Sequence, residues 1–138
     1  MMAKDIYHET VKIALEKDGW IITNDPLTLS VGRRDVFVDL AAEKLIVAIR
    51  KHKQIAVEVK SFINPSLVKD LENALGQYIL YASLMKKQYP QRILYLAIRE
   101  EIFVDFFTEE IVTTVLEFNP VKIIVFNAEK EEIIKWIE

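Results

Sequence analysis

Apolar residues recur at three- and four-residue steps through "KDIYHETVKIALEKDGW", where Ile6, Tyr7, Val11, Ala14 and Leu15 form one stripe. That period predicts an opening helix, with Asp5 near its start and Gly19 just past its end. "WIIT" then reads as a short strand and "NDPLT" as a turn. "DVFVDLA" alternates, so a single strand would put Val36, Val38 and Leu40 on one face and Phe37, Asp39 and Ala41 on the other. "AAEKLIVAIRK" fits two states: Ala, Glu and Lys favour helix, whereas Leu-Ile-Val favours strand. "QIAVEVKSF" alternates again, with Ile55, Val57 and Val59 on one face and Ala56, Glu58 and Lys60 on the other.

The strongest helical pattern is "NPSLVKDLENALGQYILYASLMKK", where Leu67, Leu71, Ala74, Leu75, Tyr78, Ala82 and Met85 fall at helical steps. Ser66 is its candidate N-cap. "RILYLAI" is a predicted strand, and the run from "EEIFVDFF" to "EEIVTTVLEF" is helical. "VKIIVFN" is too continuously apolar for an edge strand, and "EEIIKWI" fits a last strand or helix. The order α-β-β-β-α-β, then α-β, predicts an α/β (α+β) fold with a mixed sheet flanked by helices.

The chain has 138 residues, which is expected to make one domain, residues 1–138. With 51% hydrophobic and 28% charged residues it has the composition of a globular protein. The absence of cysteine excludes disulfides and thiolate metal sites. No apolar run reaches membrane-spanning length and "MMAKDIYHET" lacks a signal-peptide core, so a cytoplasmic protein is the expectation. A net charge of −3 argues against a strongly basic nucleic-acid coat but leaves room for a local patch. "RKHK" (Arg50, Lys51, His52, Lys53) is either such a patch, with Arg33 and Arg34 near it in sequence, or a solvated turn. The acidic ending "EKEEIIKWIE" would repel nucleic acid and is expected to lie away from any DNA-binding surface.

Asp39 and Glu58 occupy the polar faces of two successive alternating strands. If those strands pair, the carboxylates meet on one edge of the sheet beside Lys60. Two close carboxylates repel, and each raises the other's pKa. A hard divalent cation relieves that repulsion, and oxygen ligands suit magnesium or manganese. Such a cation activates water and polarises a phosphoryl oxygen, while Lys60 orients the nucleophile or offsets phosphate charge. Glu-x-Lys is also common on ordinary strands.

The element order, with "VD" (Val38, Asp39) and "EVK" (Glu58, Val59, Lys60), resembles the PD-(D/E)XK nuclease superfamily and its restriction-endonuclease-like αβββαβ core. Val38 stands where that motif usually has proline. The resemblance implies that Asp39, Glu58 and the Val59 carbonyl bind Mg or Mn and that Lys60 is catalytic. It also implies an acid on the first helix near the metal. Glu9 is the candidate, facing either the sheet or solvent. Resolvase-like members carry a glutamine on the long helix facing the site. Gln77, one turn before Tyr81, matches it, or is a surface residue. His8 is read as structural, and Glu43 as a group not assigned to the ligand set.

A closer resemblance is to the XisH family, controlling factors for excision of a DNA element. It rests on "KDIYHETVKIALEKDGW", "DPLTL", "VDLAAEKL", "IAVEVKSF", "ALGQYILY" and "VKIIVF". It implies a role in programmed DNA rearrangement, either as a metal-dependent DNA phosphodiesterase or as an accessory protein that binds a recombinase, DNA or a partner. The small companion factor XisI is the partner it suggests, and a homo-oligomer is left open.

Overall fold

A computed structural model describes residues 4–46 and 51–138. The elements run α1 (His8–Lys17), β1 (Ile21–Asn24), β2 (Leu27–Val31), β3 (Arg34–Val38), β4 (Leu40–Ile46), β5 (Lys51–Val59), α2 (Leu67–Gln88), β6 (Arg92–Arg99), α3 (Glu100–Asp105), α4 (Glu110–Phe118), β7 (Ile123–Asn127) and β8 (Glu132–Ile137). Six strands form one mixed sheet in the order β1-β4-β5-β6-β7-β8. The β5–β6 and β6–β7 pairs are parallel, and the remaining pairs in this sheet are antiparallel. The fold is thus α/β, a mixed sheet flanked by helices. No helix among the described residues is long and apolar enough to cross a membrane.

Alternation along the central strands explains both faces. Ile55, Val57 and Val59 of β5, Tyr95 and Ala97 of β6, and Ile124 and Phe126 of β7 meet Val11 and Leu15 of α1. Leu96 and Ile98 of β6, with Ile123 and Val125 of β7, meet Leu71 and Ala74 of α2, Ile102 of α3 and Val112 of α4. Strands covered on both sides lose the polar half of the pattern, which is why "VKIIVF" reads as unbroken. Each large side chain fully buried this way contributes about 1.5–3 kcal/mol.

Helix ends follow local chemistry. At the end of α1, Gly19 (φ 90°) donates its N–H to the Glu16 carbonyl and Trp20 donates to the Leu15 carbonyl. That is the double bond of a Schellman ending, and Trp20 and Leu15 share the same core cluster. Ser66 Oγ accepts the Lys69 N–H at 3.2 Å, so it caps α2.

The structure corrects some sequence expectations and decides between the alternatives left by others. "LTLSV" is strand β2 rather than part of a turn, and with β3 it makes a separate two-stranded sheet. The alternation of "DVFVDLA" spans two strands with a bend at Asp39. Val38 consequently packs with Tyr81 and Met85 on the α2 side, while Leu40 packs with Val11 on the α1 side. "AAEKLI" is strand, paired with β5 from Leu40↔Val57 to Ile46↔Lys51. "EEIIKWI" is the edge strand β8.

Of "RKHK", Lys51, His52 and Lys53 begin β5 rather than forming a turn, and Arg50 lies outside the described residues. The acidic chain ending does not lie away from it. Lys53 Nζ is 3.9 Å from Glu138 and sits over the Trp136 ring. The antiparallel β7–β8 pairing sets Ile137 opposite Ile123, so the last residue lies near the start of β7.

Candidate functional site

The Leu40↔Val57 register places Asp39 beside Glu58, at the end of β5 where α2 begins to cover the sheet. Asp39 sits in the bend between β3 and β4, outside both strands. Its Oδ2 accepts the Val59 N–H at 2.8 Å, and its own N–H donates to Glu58 Oε1 at 3.2 Å. Lys60 Nζ lies 3.7 Å from Glu58 Oε2. The meeting point is the end of an interior strand, not a lateral edge of the sheet, because β5 has β4 and β6 on its two sides.

These groups line a pocket of about 260 Å³ together with Lys4, Asp5, Phe37, Gln77 and Tyr81. Glu58 is only 5% exposed. Burial, then the adjacent Asp39 charge, pushes its carboxyl up to about 8, although Lys60 pulls the other way. Burial also raises Asp39, opposed by the Val59 N–H and by the nearby His8 and Lys60. Burial and the charges of Glu58 and Asp39 lift the Tyr81 hydroxyl to about 12, so it stays a neutral donor at pH 7. Gln77 Oε1 is buried and has no hydrogen-bond partner. An orphaned amide oxygen and two carboxylates held against each other, with Lys60 alone ion-paired to them, form an oxygen-rich set that fits a hard divalent cation.

Asp39, Glu58, Val59, Lys60 and Gln77 are therefore brought together, and Glu9 is not among them. Glu9 is exposed and 3.7 Å from Lys4. The acid that the N-terminal segment supplies to the pocket is Asp5. Its Oδ2 accepts the Ser61 N–H at 2.9 Å, and its Oδ1 accepts the Tyr7 N–H at 2.9 Å, which fixes the start of α1 against the end of β5. The sequence marks Asp5 only as a residue near the helix start, and its entry into the pocket depends on how that segment packs against the residues after β5. Sequence reasoning also missed Phe37, which pairs with Thr28 in the unrecognised hairpin. Glu43 lies within β4 and does not line the pocket.

His8 is buried, with Nε2 2.6 Å from Asp25 Oδ1, and it ties α1 to the link before β2. Ligand atoms of His8, Glu9 and Asp25 all lie within 4.8 Å of one another, a spacing that can hold a metal ion. Lys12 Nζ at 3.0 Å and Lys4 Nζ at 3.9 Å already neutralise Asp25. An added cation would have to displace ammonium groups, so the Asp39–Glu58 pair is the more cation-deficient of the two clusters.

No curated protein matches the chain. Two solved structures do. One is an XisH family protein from Nostoc punctiforme PCC 73102, with 41% identity, TM-score 0.88, and coverage of 97% of this chain and 100% of that one. The other is a fdxN element excision controlling factor protein from Anabaena variabilis, with 42% identity, TM-score 0.87, and coverage of 98% and 100%. The family model for the XisH protein matches residues 1–134, and on this agreement of sequence and fold the chain belongs to the XisH family.

Proposed function

We propose that this chain is a controlling factor in excision of a DNA element, an accessory or regulatory protein that binds DNA, a recombinase or a small XisI-like companion in the cytoplasm. The observation that carries this reading is the 42% identity, over 98% of the chain, to a protein described as a fdxN element excision controlling factor. A homo-oligomer is compatible with it.

A second reading has its own support, the buried Asp39–Glu58 pair with Lys60 3.7 Å from Glu58. In this reading the chain is one nuclease-like domain and a metal-dependent DNA phosphodiesterase. The order α1-β1-β4-β5-α2-β6, with the β2–β3 hairpin as an insertion, supports kinship with the PD-(D/E)XK superfamily and its αβββαβ core. Asp39, Glu58 and the Val59 carbonyl would hold Mg or Mn, and Glu9 stays outside that set. The ion would supply Lewis-acid stabilisation of a phosphoryl oxygen and a lowered pKa for water. Lys60 would sit beside the scissile phosphate and offset its developing charge. Gln77 would orient a water through its free amide oxygen, and Tyr81 would donate to a phosphate oxygen.

The two readings separate in one experiment. Purified protein is incubated with Mg or Mn on duplex, branched and single-stranded DNA, with and without the companion factor. Cleavage that disappears in Lys60→Ala supports the phosphodiesterase. Binding to DNA or to the companion with no cleavage in any combination supports the controlling factor alone.

A further inference from the structure

We infer that the β2–β3 hairpin is an arm that grips the phosphate backbone of DNA and leads it to the carboxylate pocket. This rests on the reading that the chain works on DNA. The hairpin is a two-stranded sheet of its own. Its apolar side, Leu27, Leu29 and Val38, packs on Tyr81 and Met85 of α2. Near its tip, the Ser30 N–H donates to Gln88 Oε1 at 3.2 Å, and the Ser30 carbonyl accepts from Gln88 Nε2. The arm is therefore clamped along α2 rather than hanging free.

Its two ends differ in chemistry. At the root, Phe37 lines the pocket that holds Asp39, Glu58 and Lys60. At the tip stand Arg33 and Arg34, both exposed, and neither makes an ion pair among the described residues. Lys87, next to Gln88 of the clamp in the last turn of α2, is a further exposed cation nearby, whereas Lys86 lines the groove toward α4 with Ala82 and Phe118. Between root and tip lie exposed Thr28 and Ser30, with Asp35 held by Ser30 Oγ at 2.7 Å. Phe37 and Arg34, the first residue of β3, are about 10 Å apart along the strand, and Arg33 stands in the turn beyond it. That separation is about three base-pair steps measured along the duplex axis. Guanidinium groups suit phosphate oxygens, and an aromatic face suits an unstacked base.

The test is fluorescence anisotropy with labelled duplex, branched and single-stranded DNA, without divalent metal, across a salt series. The double variant Arg33→Ala/Arg34→Ala should bind at least tenfold more weakly than wild type at about 0.1 M salt, with the salt slope reduced by about two. Phe37→Ala should weaken single-stranded binding without changing the slope, because stacking releases no counterions. Lys17→Ala/Lys130→Ala, an equal charge loss on the far side at α1 and the β7–β8 turn, should leave affinity within about twofold. Melting curves check that every variant folds. Wild-type binding that the arginine pair does not change overturns the arm while leaving the DNA reading intact. Loss of affinity equal to that of the lysine control also overturns it. No wild-type binding to any of the three DNAs overturns both.

Discussion

Asp39 and Glu58 each accept one backbone N–H with a carboxylate oxygen, while the strand pair itself is held by the β4–β5 backbone ladder, so an isosteric amide at either position leaves the strands paired. Asp39 accepts from Val59 at 2.8 Å, and Glu58 accepts from the Asp39 N–H at 3.2 Å. On the phosphodiesterase reading, in which Asp39 and Glu58 hold Mg or Mn in the folded state alone, wild type should gain melting temperature at millimolar ion. Asp39→Asn keeps the volume and an acceptor oxygen but removes a charge, and should abolish that gain. Lys60→Ala should behave oppositely. It removes the ammonium that competes with the ion at Glu58, so the metal-induced shift should persist or grow. Calorimetric titration of the three proteins checks this, and equal shifts in all of them would place any ion elsewhere, with His8, Glu9 and Asp25 the next cluster to mutate.

Two elements depend on single contacts that stability measurements can isolate. The end of α1 needs a positive φ at residue 19, and a Cβ there would meet Lys44 Cε at 3.3 Å. Lys44 Nζ in turn donates to the Asp18 carbonyl at 2.6 Å, capping the same helix end from β4. Gly19→Ala should cost about 1–2 kcal/mol in urea unfolding, nearly all of it from the strained backbone. On the other side of the sheet, the Tyr78 hydroxyl donates to the Leu94 carbonyl at 3.2 Å and accepts the Lys122 N–H at 3.1 Å. It closes the ladder where β6 and β7 begin and ties both to α2. Tyr78→Phe keeps the ring and leaves a backbone donor and acceptor without partners, for an expected loss of about 1–2 kcal/mol.

For the whole molecule, the buried carboxylate pair sets how stability follows pH. Glu58 ordinarily titrates near 4.5 and is pushed up to about 8 in the fold. Between those values the folded state holds a proton that the unfolded state has released. Its contribution is present in full below about 4.5 and is lost as pH rises through about 8. Asp39, also raised, adds in the same direction. Metal-free protein should therefore melt at lower temperature at pH 8.5 than at pH 5.5, and Glu58→Gln should flatten that slope. A divalent ion needs the ionised carboxylates, so its stabilising effect should be larger at pH 8 than at pH 6, with proton release on binding. A metal effect independent of pH over that range would contradict a Glu58 ligand.

What the sequence determined by itself is local. The period of "LVKDLENALGQYILYASLMKK" and the cap at Ser66 make α2 legible, because helix spacing and capping act within a few residues. The alternation of Ile55, Val57 and Val59 against Ala56 and Glu58 likewise shows which side of β5 carries the acid. The tertiary structure decided what alternation cannot carry. A bend at Asp39 costs the pattern no residue, so the hydropathy of "DVFVDLA" is the same for one strand as for two strands in different sheets. The Leu40↔Val57 register, not the pattern, sets Asp39 against Glu58. Asp5 and Phe37 enter the pocket from segments distant in sequence, and Glu9, phased toward the sheet edge by helical periodicity, is turned to solvent with Lys4. Which residues meet depends on how elements pack across the sheet, and periodicity within one element carries no term for its neighbours.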